Sequence, residues 1–329
     1  MRSLDEMLKE VGIPERFFRN KFSQDLQKEI PMRAKDKKTI TETENILKLL
    51  KTEHRLILGD SRYLNQFLNE KVQLIVTSPP YWIIKPYRPI EGQLGAIEDY
   101  EEFHSELNKV WKQCFDLLEP GGRMCIIVGD ACLPRRKYGR HEVVPIHADI
   151  LINCRKIGFE TLAPIIWHKI ANISLEVPRG RYLGKPYEPN GIIKHDIEYI
   201  LLFRKPGYRK PSEMQRKLSI IPAWIHKEWF QQIWRIPGDS TKHHPAPFPL
   251  ELAERLVRMF SFVGDTVLDP FVGRGTTNIA AMRWGRNSIG VEIDEDFFKY
   301  AKKWLENEAS KLFVKLKISF ENVLSSFQA

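Results

Sequence analysis

The chain has 329 residues, 43% hydrophobic and 28% charged, which is ordinary for a globular protein with one large domain or a core with a satellite. Its formal net charge of +9 admits a polyanionic partner without requiring one. No apolar run approaches the roughly 20 residues a spanning helix needs, and MRSLDEMLKE lacks a signal peptide's apolar core, so a membrane or secreted protein is not expected.

Residues 1–50 are polar and basic, with helical patterns in SLDEMLKEVG and TETENILKLLKTE, and read as an extension rather than core. HRLILGD (54–60) predicts a short buried strand ending at Asp60, and SRYLNQFLNE a helix. VQLIV (72–76) predicts the next strand. It runs into TSPPYW (77–82), where two prolines lock φ and remove backbone donors, so a sheet ladder must stop. A proline-rich loop follows. From Tyr100 to Leu118, apolar residues at a spacing of three and four predict an amphipathic helix, ended by Pro120-Gly121-Gly122. MCIIVGD (124–130) predicts a strand, 145–157 a helix, and TLAPIIWHK (161–169) and IEYILLFRK (197–205) two more strands. No helical pattern separates that last pair, which implies an antiparallel arrangement at one edge.

Composition shifts at 204–237, where RKPGYRKPSEMQRK carries six Lys or Arg against one acid and AWIHKEWFQQIW brings three tryptophans. Then come a helix in FPLELAERLVRMFS, a strand in DTVLDP, a helix in TTNIAAMRWG, a strand in NSIGVEI and a helix in DEDFFKYAKKWLENEA. Alternation of strands and helices gives an α/β fold with a doubly wound, mostly parallel, Rossmann-like sheet. The division expected is a helical extension at 1–50, a first half at 51–203, a basic insert at 204–237 and a second half at 238–329. The four cysteines, Cys114, Cys125, Cys132 and Cys154, show no CxxC spacing. A zinc site or disulfide frame is therefore not expected, no metal is assigned, and a reducing cytoplasm fits.

Two stretches carry chemistry. LDPFVGRGTT (268–277) ends a buried strand in Asp269-Pro270, passes Gly273 and Gly275, and enters a helix at Thr276-Thr277. Such a turn lets backbone approach a ligand and presents helix N-terminal amides. Fifteen residues past Thr277, SIGVEI ends at Glu292, where an acid can grip a ribose diol. The bland alternative is a tight turn with a surface glutamate.

TSPPYW together with DPFVGRGTT resembles the DNA amino methyltransferases, which transfer methyl from S-adenosylmethionine to an exocyclic amine. The catalytic motif precedes the donor motif, an order that resembles the family's β class. The resemblance covers roughly residues 54–306 and implies a circularly permuted methyltransferase sheet of the seven-stranded type. It implies donor contacts at Asp269, Pro270, Phe271, Gly273, Gly275, Thr276 and Thr277, at Glu292 for the ribose, and at Asp60 near the adenine amine. HPAPFP (244–249) resembles the segment that wraps the methionine part, which points to Phe248 and Pro249.

An exocyclic amine on a nucleobase is a poor nucleophile, so catalysis needs acceptors around its N–H groups. The Ser78 hydroxyl and the Pro79 carbonyl are the candidates, held by the paired rings of Pro79 and Pro80; Tyr81 offers a face on which an extruded base can stack. Trp82 reads as packing or a pocket wall. Within the family Ser-Pro-Pro-Tyr followed by Trp mostly marks cytosine-N4 enzymes, and adenine-N6 is the alternative. Duplex DNA is then the partner. Arg204, Lys205, Arg209, Lys210, Arg216 and Lys217 of the insert are phosphate candidates, with Arg179, Arg181 and Lys185 sharing the task. Trp224, Trp229 and Trp234 recur every five residues and read as packing. Restriction-modification follows as the biological setting, with a cognate endonuclease as a functional partner and a monomer or homodimer as the assembly. A non-catalytic nucleic-acid binder, or an RNA or protein methyltransferase, is disfavoured by the intact motifs and their order.

Overall fold

A computed structural model of the chain describes residues 1–11, 26–84, 87–133, 135–139, 142–169, 195–239, 248–312, 314 and 316–324. In chain order the helices used below are α1 (Leu4–Val11), α2 (Leu26–Lys35), α3 (Lys37–Leu47), α4 (Tyr100–Leu117), α5 (Ile146–Ile157), α6 (Glu213–Leu218), α7 (Ala223–Trp229), α8 (Leu250–Phe260), α9 (Thr276–Arg283) and α10 (Glu295–Ser310). The strands are β1 (Glu53–Leu58), β2 (Val72–Thr77), β3 (Leu118–Val128), β4 (Ala131–Leu133), β5 (Glu142–Val144), β6 (Glu160–Thr161), β7 (Ile165–His168), β8 (Ile197–Arg204), β9 (Ile233–Arg235), β10 (Thr266–Asp269), β11 (Asn287–Glu292) and β12 (Lys317–Asn322).

One sheet runs in the order β12-β1-β11-β10-β2-β3-β8-β7-β9, with β6 also paired to β8. From β12 to β3 all pairs are parallel, whereas β8 is antiparallel to β3, β6 and β7. The doubly wound fold and the antiparallel pair near one edge agree with the sequence. The sheet is wider than seven strands because β6, β9 and β12 extend it.

Side chains alternate across the sheet with period two, so each face builds its own core. Met124, Ile126 and Val128 of β3 join Phe103, Leu107, Trp111 and Cys114 of α4 and Ile150 of α5 on one face. Cys125 and Ile127 join Leu252, Leu256 and Val257 of α8 and Ala280 of α9 on the other. Each fully buried apolar side chain contributes roughly 1.5–3 kcal/mol, so the two layers carry the fold. Helix α4 starts where the sequence says it should, because the Asp99 side chain accepts from Glu102 N at 2.8 Å and caps the first turn.

Four local expectations fail for identifiable reasons. The Pro-Gly-Gly at 120–122 does not end α4; Leu118 already opens β3, and Gly121 takes φ +79° where pairing with β2 shifts register between Val72 and Leu74. TLAPIIWHK splits into β6 and β7, because Pro164 has no N–H to pair. SRYLNQFLNE makes a 3-10 turn at Ser61–Tyr63 and a single turn of helix at Leu64–Phe67. The N-terminal segment is packed rather than appended: Leu4, Met7 and Leu8 on one face of α1 form a cluster with Ile46, Leu47, Leu50, Leu218 and Val263. A Cβ on Gly264 would lie 2.7 Å from that of Leu4.

Candidate active site

β2 and β10 are neighbours, with Leu74 opposite Val267 and Ile75 opposite Leu268. From β2 the chain crosses by α4 to β3 on one side; from β10 it crosses by α9 to β11 on the other. Ligands of open α/β sheets bind in the crevice outside the strand ends at such a switch point. TSPPYW leaves the end of β2 and DPFVGRGTT the end of β10, so both motifs meet there. Two hydrogen bonds stitch them: Thr77 Oγ1 donates to Asp269 Oδ1 at 2.7 Å, and Thr277 Oγ1 donates to the Val76 carbonyl at 3.2 Å.

Between the motifs lies a cleft that is partly open to solvent. Asp60, Ser78, Pro80, Pro270, Phe271, Gly273 and Glu292 line it, as do Tyr87, Gln93 and Phe297, which sequence reasoning did not single out. Asp269, Gly275, Thr276 and Thr277 form the layer behind. Gly273 and Gly275 sit at φ +52° and +93°, a region that L side chains rarely enter. Gly275 is the N-cap of α9, and a Cβ there would lie 2.8 Å from Leu305 Cδ1.

Carboxylates converge on this cleft. Glu292 is buried; its Oε2 accepts from Gly273 N at 2.8 Å and its Oε1 from Asp294 N at 2.9 Å. Burial pushes its pKa up to about 8. Burial likewise raises that of Asp269 to about 6, and its Oδ2 has no hydrogen-bond partner among the described residues. Asp60 has both oxygens engaged by Arg62, whose Nη1 also reaches Glu106 at 2.6 Å. Aromatic rings of Phe271 and Phe297 complete the walls. Acceptors for hydroxyls and an ammonium, beside flat apolar surfaces, suit a ligand that combines a ribose, an amino acid and a base. S-adenosylmethionine fits that donor and acceptor set.

At the elbow, Ser78 Oγ donates to Tyr81 Oη at 3.1 Å, and Tyr81 Oη donates to Glu198 Oε2 at 3.0 Å. Lys169, just past β7, pairs with the other oxygen of Glu198. Tyr81 is buried with 6% of its surface exposed, so the face expected to be available for stacking is covered in this structure. Its phenol is held well above its usual pKa by burial and by the neighbouring Glu198 charge. Trp82 adopts φ +45°, a left-handed backbone costly for an aromatic residue. Its indole donates to the Glu98 carbonyl at 3.0 Å and meets Tyr100 edge-on at 4.9 Å. Trp82 therefore packs. Glu198 carried one faint sequence signal, a lone acid within the apolar strand IEYILLFR.

The remaining candidates lie elsewhere. Phe248 packs in the core beneath α8 and Pro249 is that helix's N-cap; neither lines the cleft. Residues 244–247 of HPAPFP, and Arg179, Arg181 and Lys185, fall outside the described residues. The first part of the basic insert turns away from the site: Arg204 is level with Arg123, and the chain from there runs toward the opposite ends of the parallel strands. β9 then returns alongside β7 toward the cleft end. At the far end Arg204 pairs with Glu160, Arg209 with Asp265 and Glu119, and Lys217 with Glu213. The Lys205 ammonium donates to the carbonyls of Phe115 and Leu118 at 2.7 and 2.8 Å. Arg216 lines a groove at that end, where Lys210 also falls in sequence. Four of the six cations expected to meet phosphates thus have partners within this chain. Of the tryptophans, Trp229 and Trp234 are buried and Trp224 is half exposed. No metal-holding group of His, Cys, Asp or Glu occurs among the described residues, and no described helix is long and apolar enough to cross a membrane.

A switch-point cleft that joins a Ser-Pro-Pro-Tyr elbow to a glycine turn and a buried ribose-type acid defines a methyltransferase of the amino-methylating kind. The DNA methylase family model for N6 and N4 enzymes matches residues 72–303, and the chain belongs to that family. It is 36% identical over 301 residues to the type II methyltransferase M.MjaI of Methanocaldococcus jannaschii, covering 82% of this chain and 97% of that one. TTHA0409 from Thermus thermophilus, whose crystal structure is complexed with S-adenosyl-L-methionine, is 50% identical with a TM-score of 0.65; the match covers 80% of this chain and 97% of that one. The PvuII cytosine-N4-specific DNA methyltransferase shares the fold at 18% identity and a TM-score of 0.56, over 83% of this chain and 98% of that one. The protein is thus an S-adenosylmethionine-dependent DNA methyltransferase.

Proposed function

We propose that the protein methylates the exocyclic N4 amine of a cytosine flipped out of duplex DNA, as the modifying member of a restriction-modification pair. What supports this reading is the placement of Ser78, which lines the same cleft as Gly273 and Glu292. When bound, the donor supplies an electrophilic methyl group. Glu292 would accept from the ribose hydroxyls, Asp60 would lie toward the adenine end, and the free Oδ2 of Asp269 would accept from the amino acid part. The Ser78 oxygen and the Pro79 carbonyl accept the amine's two N–H groups, which frees the nitrogen lone pair. The two proline rings keep those acceptors aimed.

Serine at the first position of the tetrapeptide, followed by Tyr81 and Trp82, favours cytosine over adenine. For DNA contacts we favour Arg179, Arg181 and Lys185, because the segment that carries them leaves β7 and re-enters β8 at the cleft edge. Incubating the enzyme with the donor and mixed-sequence duplex, then measuring nucleosides by mass spectrometry, tests the base: N4-methylcytosine is expected, and N6-methyladenine alone would replace the reading. Protection of the methylated DNA from an endonuclease of the same source would support the restriction setting.

A further inference from the structure

We propose that Glu198 is a positioning residue that fixes the direction of the hydrogen-bond chain ending at Ser78, so that the serine can only accept from the target amine. The proposal rests on the reading of Ser78 given above. The chain is Ser78 Oγ to Tyr81 Oη at 3.1 Å and Tyr81 Oη to Glu198 Oε2 at 3.0 Å. An ionised carboxylate has no proton to give, so the tyrosine must donate to it. The tyrosine oxygen is then left as an acceptor for the serine proton. That proton points away from the cleft, and the lone pairs of Ser78 face it.

Three surroundings keep the chain one-way. Lys169 holds Glu198 Oε1 from the end of β7 and anchors the carboxylate. Glu198 is 7% exposed and Tyr81 6%, so water competes poorly for the hydrogen bond between them. A Cβ on Gly129, after β3, would lie 3.2 Å from Glu198 Cγ, so the backbone of the neighbouring strand end packs directly against this side chain. Among the described residues, the charged and titratable groups facing Glu198 are Lys169, Tyr81 and, from the loop after the elbow, Tyr87.

Glu198→Gln keeps the shape and reverses the polarity. With Lys169 on its carbonyl oxygen, the amide NH2 donates to Tyr81, the tyrosine donates to Ser78, and the serine proton turns toward the cleft. A serine donor opposes the amine's N–H groups. Single-turnover methyl transfer from labelled donor to duplex DNA should therefore fall about 100-fold in E198Q, with donor affinity by calorimetry unchanged. Tyr81→Phe removes the chain but leaves the Ser78 rotor free, for a loss of about fivefold. Adding Y81F to E198Q should raise the rate back toward that of Y81F, because the wrongly directed donor is gone. A merely structural role would instead make the two losses multiply, which overturns the proposal, as would E198Q at the wild-type rate. S78A at the wild-type rate would remove the underlying reading of Ser78 and the chain with it; an inactive S78A beside a fully active E198Q removes the chain alone. If melting curves show E198Q unfolded, the S78A/Y81F pair decides. Y81F should then cost nothing further once Ser78 is absent, and an added fivefold loss overturns the proposal.

Discussion

The two ends of the parallel strands treat their most buried acids differently. At the end that carries the cleft, Asp60 is paired with Arg62, but Glu292 and Asp269 have no salt-bridge cation among the described residues, and burial holds both above their usual pKa. At the far end, buried Asp265 is clasped by Arg209, and Arg204 meets Glu160. A buried acid without a cation, its pKa shifted, marks the place where a ligand completes the set; an acid already matched marks structure.

Glu292→Ala should strain that contrast most. The two acceptors proposed for the donor ribose disappear, and donor affinity should fall about 100-fold by calorimetry, with the fold intact. The same residue predicts a pH effect on the ligand-free protein. Its folded pKa of about 8 lies above the ordinary 4.5, so the folded state binds the extra proton. That contribution is full below 4.5 and is lost as pH rises toward 8; denaturant unfolding should show a decline across this window that Glu292→Gln flattens. At the other end, Arg209→Ala leaves buried Asp265 without its partner and should cost about 3 kcal/mol of stability, while the methylation rate per folded molecule stays within twofold. Smallest of all, Arg204→Ala breaks a half-exposed pair with Glu160 and should cost at most about 1 kcal/mol. A tenfold loss of DNA affinity in that variant would break the contrast outright.

Much of this was legible in the chain. VQLIV, MCIIVGD and DTVLDP are short apolar runs bounded by punctuating residues, and each became a strand within a few positions. The site's two motifs were visible because glycine and proline there answer backbone demands that few other residues meet. Glu198 was not legible, since its role depends on Tyr81 arriving from 117 positions away. Nor was the fate of the basic insert: composition reports charge but not which acids of the same fold stand opposite. The packing of α1 was hidden for a similar reason, because its partners Leu218 and Val263 lie more than 200 residues on.

The pairing of β2 with β10 has a consequence in time. Leu74 and Val267 sit side by side although nearly two hundred residues separate them. Closing so long a loop is entropically costly and slow relative to local structure. A growing chain can shape the elbow early, yet the pocket opposite it cannot exist until DPFVGRGTT has been made and has docked. The donor half therefore comes into being last, so an incomplete copy has nothing with which to mark DNA.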